Sequence, residues 1–196
     1  MTPHALTLSE FTRQVVSWVP GLPPGQVPPV LGTQIGLAIA ADMRQRFQTS
    51  TAPDGTPWLP LVRPRPNGGS KPLLDTGTLR NSIVGRAEPD GGSAGTNLVQ
   101  AELMNAGGIV RPVKGKFLAI PATREAKRVG SPRRFPQKLR AVIGKRGGVL
   151  LDRGGHVQFW LAREVRIPAR PFVGVSPDGL AAIEGLVIDY LTTPPA

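Results

Sequence analysis

A chain of 196 residues suggests one domain with an appended arm, and its 24 Lys/Arg against 13 Asp/Glu give a formal net charge of +11. It contains no cysteine, which excludes a disulfide scaffold and any thiolate metal site and is compatible with a reducing cytoplasm. Apolar residues make up 40%, and 24 Gly with 22 Pro account for almost a quarter, so long loops that order on assembly are expected in place of a compact globule.

Thr7-Leu-Ser-Glu10 has capping-box spacing, and Leu8, Phe11, Val15 and Trp18/Val19 follow at helical intervals until Pro20-Gly21 ends the helix. Its apolar stripe suits a core or the surface of a neighbouring subunit. A Pro-rich linker, Gly21 to Pro29, follows, so residues 1–29 read as a helical arm and residues 30–196 as the core domain. The second helix is predicted from Val30 to Gln48, with Leu31, Ile35, Ile39, Met43 and Phe47 recurring every four residues. Gly36 weakens it by about 1 kcal/mol relative to Ala. Small residues at Ala38, Ala40 and Ala41 let a second helix or a sheet approach closely.

Asp54-Gly55 is a turn dipeptide, and Pro57 and Pro60 stiffen the chain after it. Trp58 reads as a buried anchor that pins this loop, with ligand stacking as the alternative. Arg63 to Lys71 is a polar Pro/Gly/basic hinge. In Leu73–Ile83, Asp75 or Thr76 is expected to cap a short helix, Leu79 and Ile83 share one face, and Leu74 is placed as a staple.

Strands are expected at Val99–Leu103, where Val99, Ala101 and Leu103 alternate with polar neighbours, and at Lys116–Ile120, ended by Pro121. Between Pro121 and Gly155 the pattern predicts a helical turn at Ala122–Arg128, a short element at Lys138–Ile143 and a loop at Gly144–Gly148. Val157–Ile167 reads as one half-buried strand, with Val157, Phe159, Leu161, Val165 and Ile167 on one face and Gln158, Glu164 and Arg166 on the other. Pro168 and Pro171 stop it. In the last helix Ser176 is the N-cap, Pro177 takes the first position and Asp178 complements the dipole. Leu180, Ile183, Leu186/Val187 and Tyr190/Leu191 form its expected buried stripe. The fold class is α+β: an antiparallel sheet packed by two main helices, with an N-terminal helical arm and a basic loop-rich insertion at about residues 109–156.

The charge is unevenly spread. Residues 109–170 hold 16 Lys/Arg against Glu125, Asp152 and Glu164, a net of +13, and the remainder, with 8 against 10, is −2. Such a segment attracts phosphate or an acidic partner. Contact with DNA would be made to phosphates and would be sequence-blind, since no helix-turn-helix, RNA-recognition or zinc-finger signature is present. Arg133-Arg134 and Lys145-Arg146 are the pairs that would make it; the alternative is a basic face turned to solvent or to protein.

An enzyme is not expected, nor a cofactor. Neither His4 nor His156 has a carboxylate or nucleophile at a motif spacing. Gly144–Gly148 lacks the P-loop pattern, and Asp75 and Asp152 read as cap or turn residues before they read as metal ligands. No apolar run reaches the length of a membrane span, and no basic stretch precedes an apolar run as in a secretory signal. Arg170, between Ala169 and Pro171, presents its guanidinium in a nearly fixed direction. It serves either a pinned corner or a pairing with a carboxylate of the next subunit, beside Phe172 as a buried anchor.

Four segments, taken in order, resemble the virion morphogenesis or tail-completion proteins of tailed bacteriophages. They are the pair Arg46-Phe47 at a helix end, the loop Pro53-Asp-Gly-Thr-Pro-Trp-Leu-Pro-Leu61, the turn Thr76-Gly77-Thr-Leu79-Arg80-Asn-Ser-Ile83, and Ile167-Pro-Ala-Arg-Pro-Phe-Val-Gly174. The resemblance covers residues 34–86 and 157–191. Where many members carry a Tyr…His…Phe-Gly segment, this chain has Ala101–Gly108, so a role leaning on that His has no carrier. The resemblance implies a structural protein of the phage neck or tail end that forms rings, commonly sixfold or twelvefold; Phe47, Trp58, Thr76, Gly77, Leu79, Arg80, Ile83, Arg170 and Phe172 are the candidate interface or structural anchors. It implies assembly in the host cytoplasm with other neck, portal-side or tail proteins. A basic DNA-binding or DNA-packaging accessory protein is the alternative.

Overall fold

Residues 27–63, 65–66, 68–145 and 147–193 are described by a computed structural model; within them the chain is an α+β protein that divides into two units. The expected N-terminal helix and most of its linker lie outside the described residues.

The first unit holds the described residues as far as Trp58, then Thr76–Ala101, then those from Arg170 onward. It is built on helix α1 (Pro29–Thr49), which starts with proline at its first turn and ends at Ser50 in a left-handed conformation. Leu31, Ile35, Ile39, Met43 and Phe47 are all at most 3% exposed, as the four-residue recurrence predicts. One position on, Gly32, Gly36 and Ala40 make a second buried row. Against α1 packs a hairpin, β1 (Val84–Glu88) and β2 (Gly91–Gly95), whose ends pair Glu88 with Gly91 across a two-residue turn. A methyl on Gly36 would overlap the Arg86 backbone, and one on Gly92 would lie 2.5 Å from the Gly32 carbonyl oxygen. Helix backbone therefore rests on strand backbone, which only paired glycines allow.

The sequence expectation contained no strand here. Pro89-Asp90-Gly91, a turn sequence, was its one signal. α2 (Thr78–Asn81) is a single turn that buries Leu79 ahead of the fully buried Ile83.

The last helix of this unit is capped as its sequence predicts. Ser176 accepts a hydrogen bond from the Gly179 N–H at 3.1 Å, and Pro177 opens the helix that runs to Thr192. Its buried face is narrower than predicted: Ile183 and Val187 are buried with Gly179, while Leu191 is 42% exposed.

The second unit comprises Leu59–Asp75 and Glu102–Ala169. The strand expected at Val99–Leu103 is instead a turn at residues 99–100 that leads into a helix: α3 (Ala101–Ala106) ends at Gly107, whose φ of 74° turns the chain into β3 (Gly108–Val110). Three alternating positions are too few to separate a strand from one helical turn. A four-stranded antiparallel sheet follows, β4 (Leu118–Pro121), β5 (Arg140–Gly144), β6 (Gly147–Leu151) and β7 (Val157–Ala162), in the order β4-β7-β6-β5. Between β4 and β5 lie α4 (Arg124–Val129), capped by Thr123, and a 3-10 turn at Pro132–Arg134, capped by Ser131. Phe159 of β7, Phe135 and Ala126 form this unit's core, the two rings meeting edge to face at 5.9 Å.

Two strand readings are corrected. The expected loop at Gly144–Gly148 contains the β5–β6 hairpin turn, because Gly147 and Gly148 are strand residues. A methyl on either would strike a carbonyl of the adjoining strand. The expected single strand Val157–Ile167 breaks after Ala162, and β8 (Val165–Ile167) pairs with β3 in a separate sheet. The antiparallel strands of the described residues thus form three sheets, and it is the two-stranded β1–β2 sheet that packs on α1. Gln158, expected on the polar face, is 7% exposed: Thr123 donates to its side-chain oxygen at 2.6 Å and its amide donates to Asp152 at 2.8 Å. The basic stretch expected to be loop-rich keeps about half its length in turns and loops, between short strands and helical turns.

Candidate functional site

The motif segments of the first unit converge on the C-terminal half of α1. Asp42 and Arg46 stand one turn apart on that helix, and their ion pair is 2.5 Å long and almost wholly buried at the arginine. The Arg46 guanidinium also donates to the carbonyls of Phe172 at 3.1 Å and Gly174 at 2.8 Å. Burial lowers its pKa from the ordinary value, opposed by the Asp42 charge and hydrogen bond. Ser176 engages both oxygens of Asp42: its backbone N–H donates at 2.9 Å to the one that Arg46 holds, and its hydroxyl donates at 2.6 Å to the other. One ion pair on α1 therefore fixes the strand-to-helix corner 172–176 to the middle of the unit.

Aromatic packing closes the same corner. The Phe47 ring lies 5.3 Å from Phe172 and 5.6 Å from Trp58, the latter edge to face, and all three are buried. Trp58 donates its indole N–H to the Pro171 carbonyl at 2.9 Å, which accounts for it as an anchor. The turn ahead of it is held by Asp54, whose carboxylate accepts from the Thr56 N–H at 2.9 Å; that bond keeps the carboxyl below its ordinary range. Pro53 packs on Gly174: a methyl there would come within 2.9 Å of the proline ring, and φ is 134°, so only glycine fits.

The turn that carries Leu79 joins from the other side, since Arg44 donates to the Ile83 carbonyl. Its expected cap is modified. The residue preceding α2 is Gly77 at φ 80°, and the cap position itself carries no side-chain hydrogen bond. Asp75 pairs with Lys127, whereas Thr76 stays at the helix start: its hydroxyl bonds that of Thr78 at 2.6 Å and accepts from the Thr78 N–H at 3.4 Å. Arg80 is half-buried and donates to Asn81 at 3.1 Å.

The sequence pattern of the phage virion morphogenesis family matches residues 24–192. The chain belongs to that family. Comparison with curated proteins and with solved structures gave no match. As a member of the phage virion morphogenesis family it is a protein of virion assembly, and in it the Arg-Phe, PDG-Trp, TG-Leu-Arg and Arg-Pro-Phe segments are parts of one packed corner.

The remaining candidate residues fall into two places. Arg170 is buried at 6% exposure beside the corner, whereas Arg133, Arg134 and Lys145 are exposed on the second unit. Arg146 lies outside the described residues. Asp152 accepts from the His156 N–H at 2.9 Å, as a turn residue does. Asp42 was not singled out from the sequence; its position four residues before Arg46 was the available signal. Among the described residues no group of three or more His, Asp or Glu is gathered, and no helix is long and apolar enough to cross a membrane.

Proposed function

We propose that this chain is a structural protein of the phage neck or tail end, which assembles into a ring of 6 or 12 copies and completes the tail or joins it to the head. Its partners in this reading are its own copies and other neck, portal-side or tail proteins, in a particle assembled in the host cytoplasm. The chain acts by subunit docking, without catalysis. The observation that carries the reading is where the motif residues go: Arg46, Phe47, Trp58, Leu79, Phe172 and Gly174 are consumed in stiffening one unit. Side chains whose hydrogen bonds and ring contacts are spent on holding a corner rigid suit a building block. A chain whose two units carry net charges of opposite sign is suited to head-to-tail docking between copies.

Light scattering coupled to gel filtration, with negative-stain electron microscopy of the purified full chain, tests the proposal. Closed rings are expected. A monomer across the accessible concentration range, both alone and with tail proteins present, overturns it.

A DNA-contacting role is favoured by one observation, the net charge of the second unit. It carries 18 Lys/Arg against 5 acids, a net of +13, while the first unit, with 6 against 8, is −2. Duplex retention that falls steeply with salt and shows no sequence preference is expected of that surface.

A further inference from the structure

We propose that the β5–β6 hairpin of one copy docks into the cleft between α1 and the start of the last helix of the next copy. This rests on the ring-forming reading above and names the two surfaces that would meet.

The cleft belongs to the first unit and has a volume of about 650 Å³. Its apolar floor is small and shallow: Ala38 and Ala41 from α1, Ala52 from the loop, and Ala182 from the last helix. Four charged residues line it. Asp42 and Arg46 neutralise each other, which leaves Asp54 and Asp178, both exposed and unopposed by any other lining cation. The Thr56 N–H keeps Asp54 ionised, and the start of the last helix presents less bare positive charge, since Ser176 and Asp42 already engage its N–H groups. The result is a shallow apolar floor with two carboxylates, and it calls for an occupant that is apolar and cationic.

The hairpin has that composition. β5 is an edge strand, and all five of its residues are exposed, with Val142 at 47% and Ile143 at 57%. Its middle, residues 141–143, carries neither proline nor a charge, so the apolar edge is bare except at its ends. Arg140 stands at its start and Lys145 at its turn, and neither makes an ion pair among the described residues. Ala126 to Leu151 contains eight Lys/Arg and no acid, and the run is flanked by single acids at Glu125 and Asp152, so its field stays strongly positive.

Nucleic acid would use the cations but leave the β-branched pair in water, and the apolar exposure therefore favours a protein surface. Hairpin against hairpin would set like charges opposite one another. Hairpin against cleft joins two different patches of one chain, so each copy gives one and receives one. That is the heterologous geometry from which rings are built.

Two full-length double variants test this: Asp54→Asn with Asp178→Asn in the cleft, and Arg140→Gln with Lys145→Gln in the hairpin. All four positions are exposed, and unchanged circular dichroism and melting establish that each variant folds. Sedimentation velocity is run at about 0.15 M salt, where a screening length of about 8 Å mutes long-range repulsion and leaves contacting pairs intact. Each variant alone is expected to associate at least about tenfold more weakly than the unaltered chain. An equimolar mixture of the two is expected to give heterodimers and nothing larger, because only one good pair of surfaces remains. The docking is overturned if both variants assemble like the unaltered chain, or if their mixture grows past two copies or stays monomeric. It is also overturned if the hairpin variant loses duplex DNA retention while assembling normally. In each of these cases an unaltered chain that assembles leaves the ring reading standing; an unaltered chain that never associates removes both.

Discussion

Replacing Gly36 with alanine sets helix propensity against packing, and the structure decides the sign. In an isolated helix the change would stabilise by about 1 kcal/mol. Here the new methyl would overlap the Arg86 backbone in β1, and β1 is held in place by its pairing with β2. A flexible side chain could swing aside; a paired strand cannot. Overpacking of a filled contact costs about 1–3 kcal/mol, and an unyielding backbone obstacle puts this case at or above the upper end. Net destabilisation of about 2 kcal/mol is expected, or roughly 4–8 °C in melting temperature for a chain of this size. Gly185→Ala in the last helix is the matched control, because nothing lies within 4 Å of a methyl there. It should stabilise by up to about 1 kcal/mol. Urea unfolding followed by far-UV circular dichroism reads both. If Gly36→Ala is as stable as the unaltered chain while the control behaves, helix and hairpin are not in backbone contact and the account of the first unit is wrong.

Three further outcomes follow from the corner and the second unit. Phe172→Ala removes a fully buried ring from its contact with Phe47 and should cost about 3–5 kcal/mol by the same unfolding measurement; a loss below about 1 would show that the ring does not hold the corner. Arg46→Met strips the guanidinium from two carbonyls and leaves Asp42 half-buried with only Ser176, for an expected loss of about 3–5 kcal/mol. A neutral result would mean that the pair contributes nothing net. The backbone N–H of His156 and the amide of Gln158 hold the Asp152 carboxyl below its ordinary value of 3.8, so its contribution is present above that pH and is lost as pH falls through the lower folded value. Acid titration of Asp152→Asn should show a shallower loss of stability below pH 3.8 than the unaltered chain, and an unchanged acid limb would refute the linkage.

The sequence made α1 and the last helix legible because their signals are local: a four-residue apolar recurrence in one, and a Ser-Pro-Asp start in the other. What it hid depends on residues far along the chain. Gly36 reads as a defect until Gly85 and Gly92, some fifty residues later, are seen to need its missing side chain. Gly147 and Gly148 read as loop for the same reason, since strand glycines signal close backbone approach only when the partner strand is known. The strand from Val157 onward is interrupted on its apolar face only by Arg163, where it breaks, and resumes in phase at Val165, so one charged residue was the only sign that its two halves belong to different sheets. The family segments were legible as a set, but their common target was not. Asp42 and Arg46 earn their meaning from carbonyls and a hydroxyl more than 120 residues away.

The division of charge by fold has the same size as the division along the sequence, +13 against −2, but not the same members. The basic stretch counted along the chain ends with Arg170, yet that arginine is buried in the first unit and adds nothing to an exposed field. Arg63, Arg65 and Lys71, upstream, belong instead to the second unit, together with Asp75 and Glu102, which brings its net to +13. That cationic surface is formed by side chains standing on a folded sheet and its short helices, so its positions are set by the same strand register that buries Phe159. A loop of equal charge would spread over many conformations and meet an acidic surface only after losing them, at about 1–2 kcal/mol per ordered residue. A hairpin already formed meets it without that loss, which is why Arg140 and Lys145 are stronger docking candidates than their number alone would make them.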